Sequence, residues 1–243
     1  MDQSKREDFR VKACEVAFRD KGWFDFAGNL YRNLAEIPTL LANFSTNSSD
    51  TILEVGAGSG RITKELVRTG AEVVALDLST KSLKINRKRS KAQTILADAC
   101  FLPFTQATFS KVAAISVIEH IPSTESRIQA LKEIKRVCKK GGSFLVEVQN
   151  RRFYEEHRKD YEVYYRGSLH YRRFQWLEFR NLLLSVFPKI VNFKPLLIFH
   201  PFMRGRLGSN IKIVKLILIL ESRVLRKSLA FLVADRLVAV CRN

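Results

Sequence analysis

The 243 residues are 46% hydrophobic and 27% charged, an ordinary globular mixture with apolar material for one large or two small domains. The formal net charge of +18 is uneven: residues 1–100 carry +3, whereas residues 151–243 set 19 Lys and Arg against 7 Asp and Glu. Four scattered cysteines, Cys14, Cys100, Cys138 and Cys241, form no Cys-x-x-Cys pair, which argues against a disulfide framework or a zinc site and predicts no metal. The polar start Met-Asp-Gln-Ser-Lys-Arg-Glu and the lack of any apolar run near ~20 residues predict neither a secretion signal nor a membrane-spanning helix, and so a cytoplasmic protein.

In chain order, residues 1–48 read as a helical N-terminal segment. Val11, Cys14, Val16, Ala17 and Phe18 form one apolar set and Leu30, Leu34, Ile37 and Leu41 another, separated by Gly22-Trp23-Phe24-Asp25-Phe26. Asn43 to Asp50 is a polar loop that leads into the first predicted strand.

That strand opens the stretch around which the chain is organised, Thr51-Ile52-Leu53-Glu54-Val55-Gly56-Ala57-Gly58-Ser59-Gly60-Arg61. Ile52, Leu53 and Val55 suit a strand buried on both faces, and Gly56, Gly58 and Gly60 permit a tight turn with close backbone approach to a ligand. A helix from Arg61 to Thr69 would aim its free N–H groups at whatever lies over the glycines. A second strand, Glu72 to Asp77, ends in an aspartate at the separation expected of a ribose-binding carboxylate, although Asp77 followed by Ser79 also fits a capped helix start. A third, Thr94 to Ala99, contains Asp98, and a fourth, Val112 to Val117, runs into Ile118-Glu119-His120-Ile121-Pro122. Helices are predicted over Ser79–Lys91 and Glu125–Lys140, the latter stopped by Gly141-Gly142 before a strand Ser143–Gln149. Strands alternating with helices predict a parallel sheet covered on both faces, with ligands at the carboxyl ends of the strands.

Over Ser49 to Asn150 these linked motifs, together with Leu131 to Gly142, resemble class I S-adenosylmethionine-dependent methyltransferases, in particular the type 11 subgroup. The resemblance implies a Rossmann-like, doubly wound α/β sheet, mostly parallel with an antiparallel last strand, over a methyltransferase domain of residues 49–243. It implies S-adenosylmethionine as cofactor. Its methionine end would be wrapped by Gly56, Gly58 and Gly60 next to Glu54, its ribose bound by Asp77 beside Leu78, and its adenine met by Asp98 with Ala99, Ile118 lining the same site. Residues 1–48 would form a lid, from which Tyr31 would touch the methionine end. His120, after the fourth strand, is either a general base or a pocket wall.

Beyond the fifth strand the composition changes. Residues 150–174 hold five of the six tyrosines among arginines and histidines, and they leave the carboxyl end of a central strand. Tyr154, Tyr161, Tyr164 and His170 are therefore candidate substrate residues, for stacking on bases or for lining a pocket for a smaller acceptor. A solvated surface helix is the third reading of this stretch. A helix over Gln175–Phe187, a strand over Lys189–Phe199 and a closing strand over Ala234–Arg242 follow, the last two separated by an insertion at residues 200–229. On a helical wheel, Lys212, Lys215, Ser222, Arg223 and Arg226 share a narrow face, with Ile219 among them, opposite a broad aliphatic one. Such a helix either lies on an anionic membrane or buries its apolar face on its own domain or a second subunit; its β-branched content also permits a strand.

The Asn/Asp-Pro-Pro-aromatic motif of base-amine methyltransferases and the paired cysteines of cytosine-C5 enzymes are absent. The expected activity is methyl transfer to a small-molecule, lipid-like or glycan acceptor, with peripheral attachment to the inner membrane face. An RNA methyltransferase is the alternative, since RNA attracts the same positive field, and a non-catalytic cofactor-binding module is the second.

Overall fold

The structure, a computed structural model, describes residues 30–153, 162–165, 169–199, 210–224 and 229–243. Seven strands form the main sheet: β1 (Thr51–Val55), β2 (Glu72–Asp77), β3 (Gln93–Leu96), β4 (Phe109–Ile115), β5 (Cys138–Gln149), β8 (Lys189–Leu196) and β9 (Arg236–Arg242). Their spatial order is β3-β2-β1-β4-β5-β9-β8, parallel from β3 to β5, with β9 antiparallel to both β5 and β8. The chain order reverses at β1–β4, and this is where a doubly wound sheet opens a crevice at its carboxyl edge.

The period of two along each strand sorts the core into two layers. Leu53, Val55, Val74, Leu76, Val112 and Ala114 face one side, where they meet Ala130, Leu131 and Ile134 of α4 (Thr124–Val137) and Phe179 and Leu183 of α5 (Trp176–Leu184). Ile52, Val73, Ala75, Ala113 and Leu145 face the other, with Leu40 and Phe44 of α1 (Leu30–Phe44) and Leu66 of α2 (Thr63–Arg68). Both layers are apolar because helices cover both faces. Ser79 caps α3 (Thr80–Ser90) by accepting from Ser82 N at 3.2 Å, and Lys91 closes it at φ 65°.

One expectation changes and two open readings are decided. Gly141 and Gly142 do not stop a helix: α4 ends at Val137 and β5 begins at Cys138, so the glycines lie inside the strand. A Cβ on Gly142 would stand 2.6 Å from Ser110 O, and this close approach to β4 is what the glycine permits. The tyrosine-rich stretch contains a hairpin rather than a surface helix, β6 (Glu162–Tyr165) with β7 (Leu169–Arg172), where alternation outweighs the charge pattern. The insertion carries a helix, α6 (Ile211–Val224), and not a strand.

α6 lies on α1 and also sends Val214 into the core. Its buried Glu221 accepts from the hydroxyl of Tyr31, itself fully buried, and from Ile198 N at 2.8 Å. Burial and the neighbouring Glu221 carboxylate raise the Tyr31 pKa far above its ordinary value, so the phenol keeps its proton and donates. Substitution Tyr31→Phe should lower unfolding stability by about 1.5–3 kcal/mol, the range for a hydrogen bond to a buried charged group, as measured by urea denaturation.

Candidate functional site

The glycine turn leaves β1 with Gly56 at φ 68°, Gly58 at φ 52° and Gly60 at φ 82°, values that exclude most other residues. At Gly56 a Cβ would come within 2.2 Å of Val117 Cγ2, so the turn also needs the missing side chain to pass the segment that follows β4. Parallel pairing sets Val55 beside Leu76 and Asp77 beside Leu96, which brings the ends of β1, β2 and β3 to one edge. Asp77 joins them: its Oδ2 accepts from Gly58 N at 2.8 Å and its Oδ1 from Ser79 N at 2.8 Å. Burial raises its pKa, while the backbone N–H groups of Ser79, Gly58 and Leu78 hold the rise in check. Each carboxylate oxygen retains further acceptor capacity.

Glu54 lies just beneath the turn and is 3% exposed. Its Oε2 meets no hydrogen-bond partner among the described residues. Burial pushes its pKa up to about 7, against the pull of Thr63 and Arg61. Asp98 is buried, accepts from Cys100 N at 2.9 Å and so shapes the turn after β3; its neighbour Ala99 is buried as well. Ile118 is fully buried in the core and Leu78 is half-buried at the mouth of the β2 end.

His120 closes a short 3-10 turn, Ile118–His120, at the end of β4. Its Nδ1 stands 2.9 Å from the carbonyl oxygen of His170 on β7, and its ring lies 5.7 Å from that of Tyr171. A carbonyl only accepts, so in this contact Nδ1 carries the donated N–H, and Nε2 is 4.0 Å from Glu119 Oε1. The hairpin therefore brings His170 to His120 through the backbone. In β6 the backbone of Tyr164 pairs with His170, while Tyr154 and Tyr161 lie outside the described residues. Tyr31 spends its hydroxyl on Glu221, at the joint between α1 and α6.

Several residues at this edge escaped sequence reasoning. Asn86 of α3 is fully buried and donates to Thr63 Oγ1 at 2.9 Å and to Gly58 O at 3.3 Å, tying the helix to the turn. A Cβ on Gly60 would fall 2.7 Å from Asn86 Oδ1. Glu36 of α1 accepts from Arg61 at 2.6 Å, the residue next to the last glycine, and from Arg32 at 2.5 Å. Burial disfavours its charge, yet Arg32 and Arg61 outweigh it and hold the carboxyl well below the usual range. Arg236 of β9 reaches Glu119 at 3.1 Å and Glu147 at 3.2 Å, and Asp235 next to it pairs with Arg152. Only the position of Arg61, immediately after the glycines, was a signal visible in the sequence.

The residues present fit a cofactor with an amino acid end and a ribose. A glycine cradle with no room for a Cβ at Gly56 or Gly60, a buried carboxylate oxygen at Glu54 with no partner among the described residues, and a two-oxygen acceptor at Asp77 lie at one edge. Among the described residues no cluster of His, Cys, Asp or Glu could hold a metal ion.

The family described as methyltransferase domain, Methyltransf_11, matches residues 53–146. An uncharacterized protein of Methanocaldococcus jannaschii is 34% identical over 119 residues, covering 48% of each chain. A probable tRNA methyltransferase 9B of Mus musculus is 31% identical over 107 residues, 42% of this chain and 23% of that one. The chain spans about half the length of the curated relatives it matches, or less. Among solved structures, a didemethyltoxoflavin N1-methyltransferase of Burkholderia thailandensis superposes with a TM-score of 0.66 at 16% identity, covering 100% of this chain and 91% of that one. At that identity the likeness is one of fold.

Because Glu54 is held protonated by the fold, its contribution to stability is fully present below the unfolded value of 4.5 and is lost as pH rises through about 7. Urea unfolding at several pH values should show wild type losing up to about 3 kcal/mol relative to Glu54→Gln across that window. Equal pH slopes in the two proteins would remove Glu54 as the titrating group.

Proposed function

Since residues 53–146 match the Methyltransf_11 methyltransferase family, we propose that the chain transfers a methyl group to a small-molecule, lipid-like or glycan acceptor seated beside His120. S-adenosylmethionine supplies the methyl on a sulfonium, which is open to in-line displacement. In this reading Gly56, Gly58 and Gly60 let the backbone approach the cofactor, Glu54 accepts from its amino group, and Asp77 accepts from its ribose hydroxyls. Asp98 and Ala99 border the adenine, with Leu78 and Ile118 as apolar walls. α1 acts as a lid, latched to the turn through Arg61 and Glu36.

The observation that carries the reading is the Asp77 carboxylate, buried at the end of β2 and bonded to the N–H of Gly58. It ties the acidic strand end to the glycine cradle and fixes where a ribose hydroxyl would be met. In the same reading, His120 Nε2 takes a proton from a hydroxyl or amine acceptor while the carbonyl of His170 holds the ring. The β6–β7 hairpin walls the acceptor side, where Tyr171, raised to about 12 by burial and by Glu119, stays a neutral donor.

Asp77→Ala should abolish binding of S-adenosylhomocysteine in calorimetry; unchanged affinity would defeat the ribose assignment. His120→Gln should bind it within about twofold of wild type while kcat falls roughly 100-fold or more. For the acceptor, a labelled methyl group is followed from S-adenosylmethionine into an extract, which is then divided into lipid, soluble, protein and nucleic acid fractions. Label in the lipid or soluble fraction supports the proposal. Label in RNA would overturn the acceptor class and favour the function named for the tRNA methyltransferase 9B relative. No transfer by a protein that binds the cofactor would leave a binding module.

A further inference from the structure

α6 divides cleanly by burial. Val214 and Glu221 are buried, and Ile213, Ile217 and Leu218 are partly covered. At 3.6 residues per turn these five occupy less than half of the helix circumference. Ile211, Lys212, Lys215, Leu216, Ile219, Leu220, Ser222 and Arg223 are exposed over the remainder. Leu216 is 59% exposed and Ile219 55%. The wheel had set Ile219 among the basic residues and the other aliphatic residues opposite them. In the fold, Leu216, Ile219 and Leu220 share the outer half with Lys212, Lys215 and Arg223.

Exposed branched aliphatics cost free energy in water, and their place on one helix face calls for a partner. Its chemistry is limited by what lies between them. A second copy meeting this face across a two-fold axis would set Lys212, Lys215 and Arg223 against like charges. RNA would meet the cations, but the face has no aromatic side chain for a base to stack on, and the aliphatics would gain nothing. A bilayer surface with anionic headgroups satisfies both sets, because aliphatic side chains sink to the acyl boundary while lysines and arginines extend to the phosphates. The charge of the chain agrees, with +12 in residues 151–243. No helix among the described residues is long and apolar enough to cross a membrane, so such binding is in the plane of the surface.

We propose that the outer face of α6, centred on Leu216 and Ile219 between Lys212, Lys215 and Arg223, docks the protein on an anionic phospholipid bilayer. This concerns attachment, and it stands whichever acceptor is methylated.

The test is co-sedimentation of the full chain with vesicles of phosphatidylcholine alone and with about 30% phosphatidylserine added. Wild type should bind the anionic vesicles, and binding should weaken as salt rises. It should leave the neutral ones largely free. Leu216→Gln with Ile219→Gln, and separately Lys212→Glu with Lys215→Glu, should each weaken binding at least about tenfold. All four positions are exposed, so unfolding midpoints and affinity for S-adenosylhomocysteine should match wild type and report an intact fold. Wild-type binding that survives both double variants, or no binding to anionic vesicles at low salt, overturns the proposal. So does a dimer in sedimentation equilibrium that the Leu216→Gln, Ile219→Gln variant dissolves, since α6 would then be covered by a second copy.

Discussion

Everything at the carboxyl edge of the sheet depends on one buried carboxylate. Asp77 ends β2, yet its two oxygens are given to the N–H of Gly58 after β1 and of Ser79 before α3. A buried anion without such donors would be expensive, and these N–H groups, exposed by the turn and by the helix start, are what make it tolerable. The same bonds position the glycine turn against the end of β2. Asn86, reaching from α3 to Gly58 O, completes a closed loop of contacts from β1 to β2 to α3 and back. The cradle is therefore preorganised by the protein's own hydrogen bonds, and ligand binding does not have to order it.

A second set of buried charges joins α1 to the far half of the sheet. Arg236 lies between Glu119 after β4 and Glu147 on β5, and its charge is reinforced by these carboxylates despite complete burial. Glu147 is raised by burial and by Glu36, with Arg236 and Arg32 pulling the other way. Glu119 also accepts from Gln149 N at 2.7 Å, so it braces β5 while it faces His120. Removing one member would strand the others, because the penalty of an unpaired buried ion exceeds the net value of any one pair. The cluster thus holds β4, β5 and β9 in register behind the candidate acceptor site, and the Arg61–Glu36 pair carries the same electrostatics to the glycine turn.

Local patterns were legible in the sequence, and contacts made at a distance were not. The strand preceding the glycines, the acid closing β2 and the serine before α3 are each written within a few residues, and the parallel sheet followed from strand–helix alternation, whereas the antiparallel last strand came from the family resemblance. The β6–β7 hairpin was hidden because Tyr, Arg and Glu tolerate strand and solvated helix alike. The partners of Arg236 come from residues 119 and 147, a separation that no periodicity records. Tyr31 shows the same limit: it belongs to α1, but its hydroxyl bonds with a residue 190 positions away.

α6 shows how a single polar residue can decide what a helix exposes. Aliphatic residues cover more than half of its circumference, so hydrophobicity alone would let it roll to several orientations of similar burial. Glu221 removes that freedom, because a carboxylate on the inner side must face Tyr31 Oη and Ile198 N or be buried without partners. Once that phase is fixed, Val214 turns inward, and Leu216, Ile219 and Leu220 are left outside among the cations. The outward face is thus set by a hydrogen bond on the inward one. It follows that the aliphatic exposure of α6 is a consequence of how the helix is anchored to α1 and cannot be relieved by rotation without breaking that anchor.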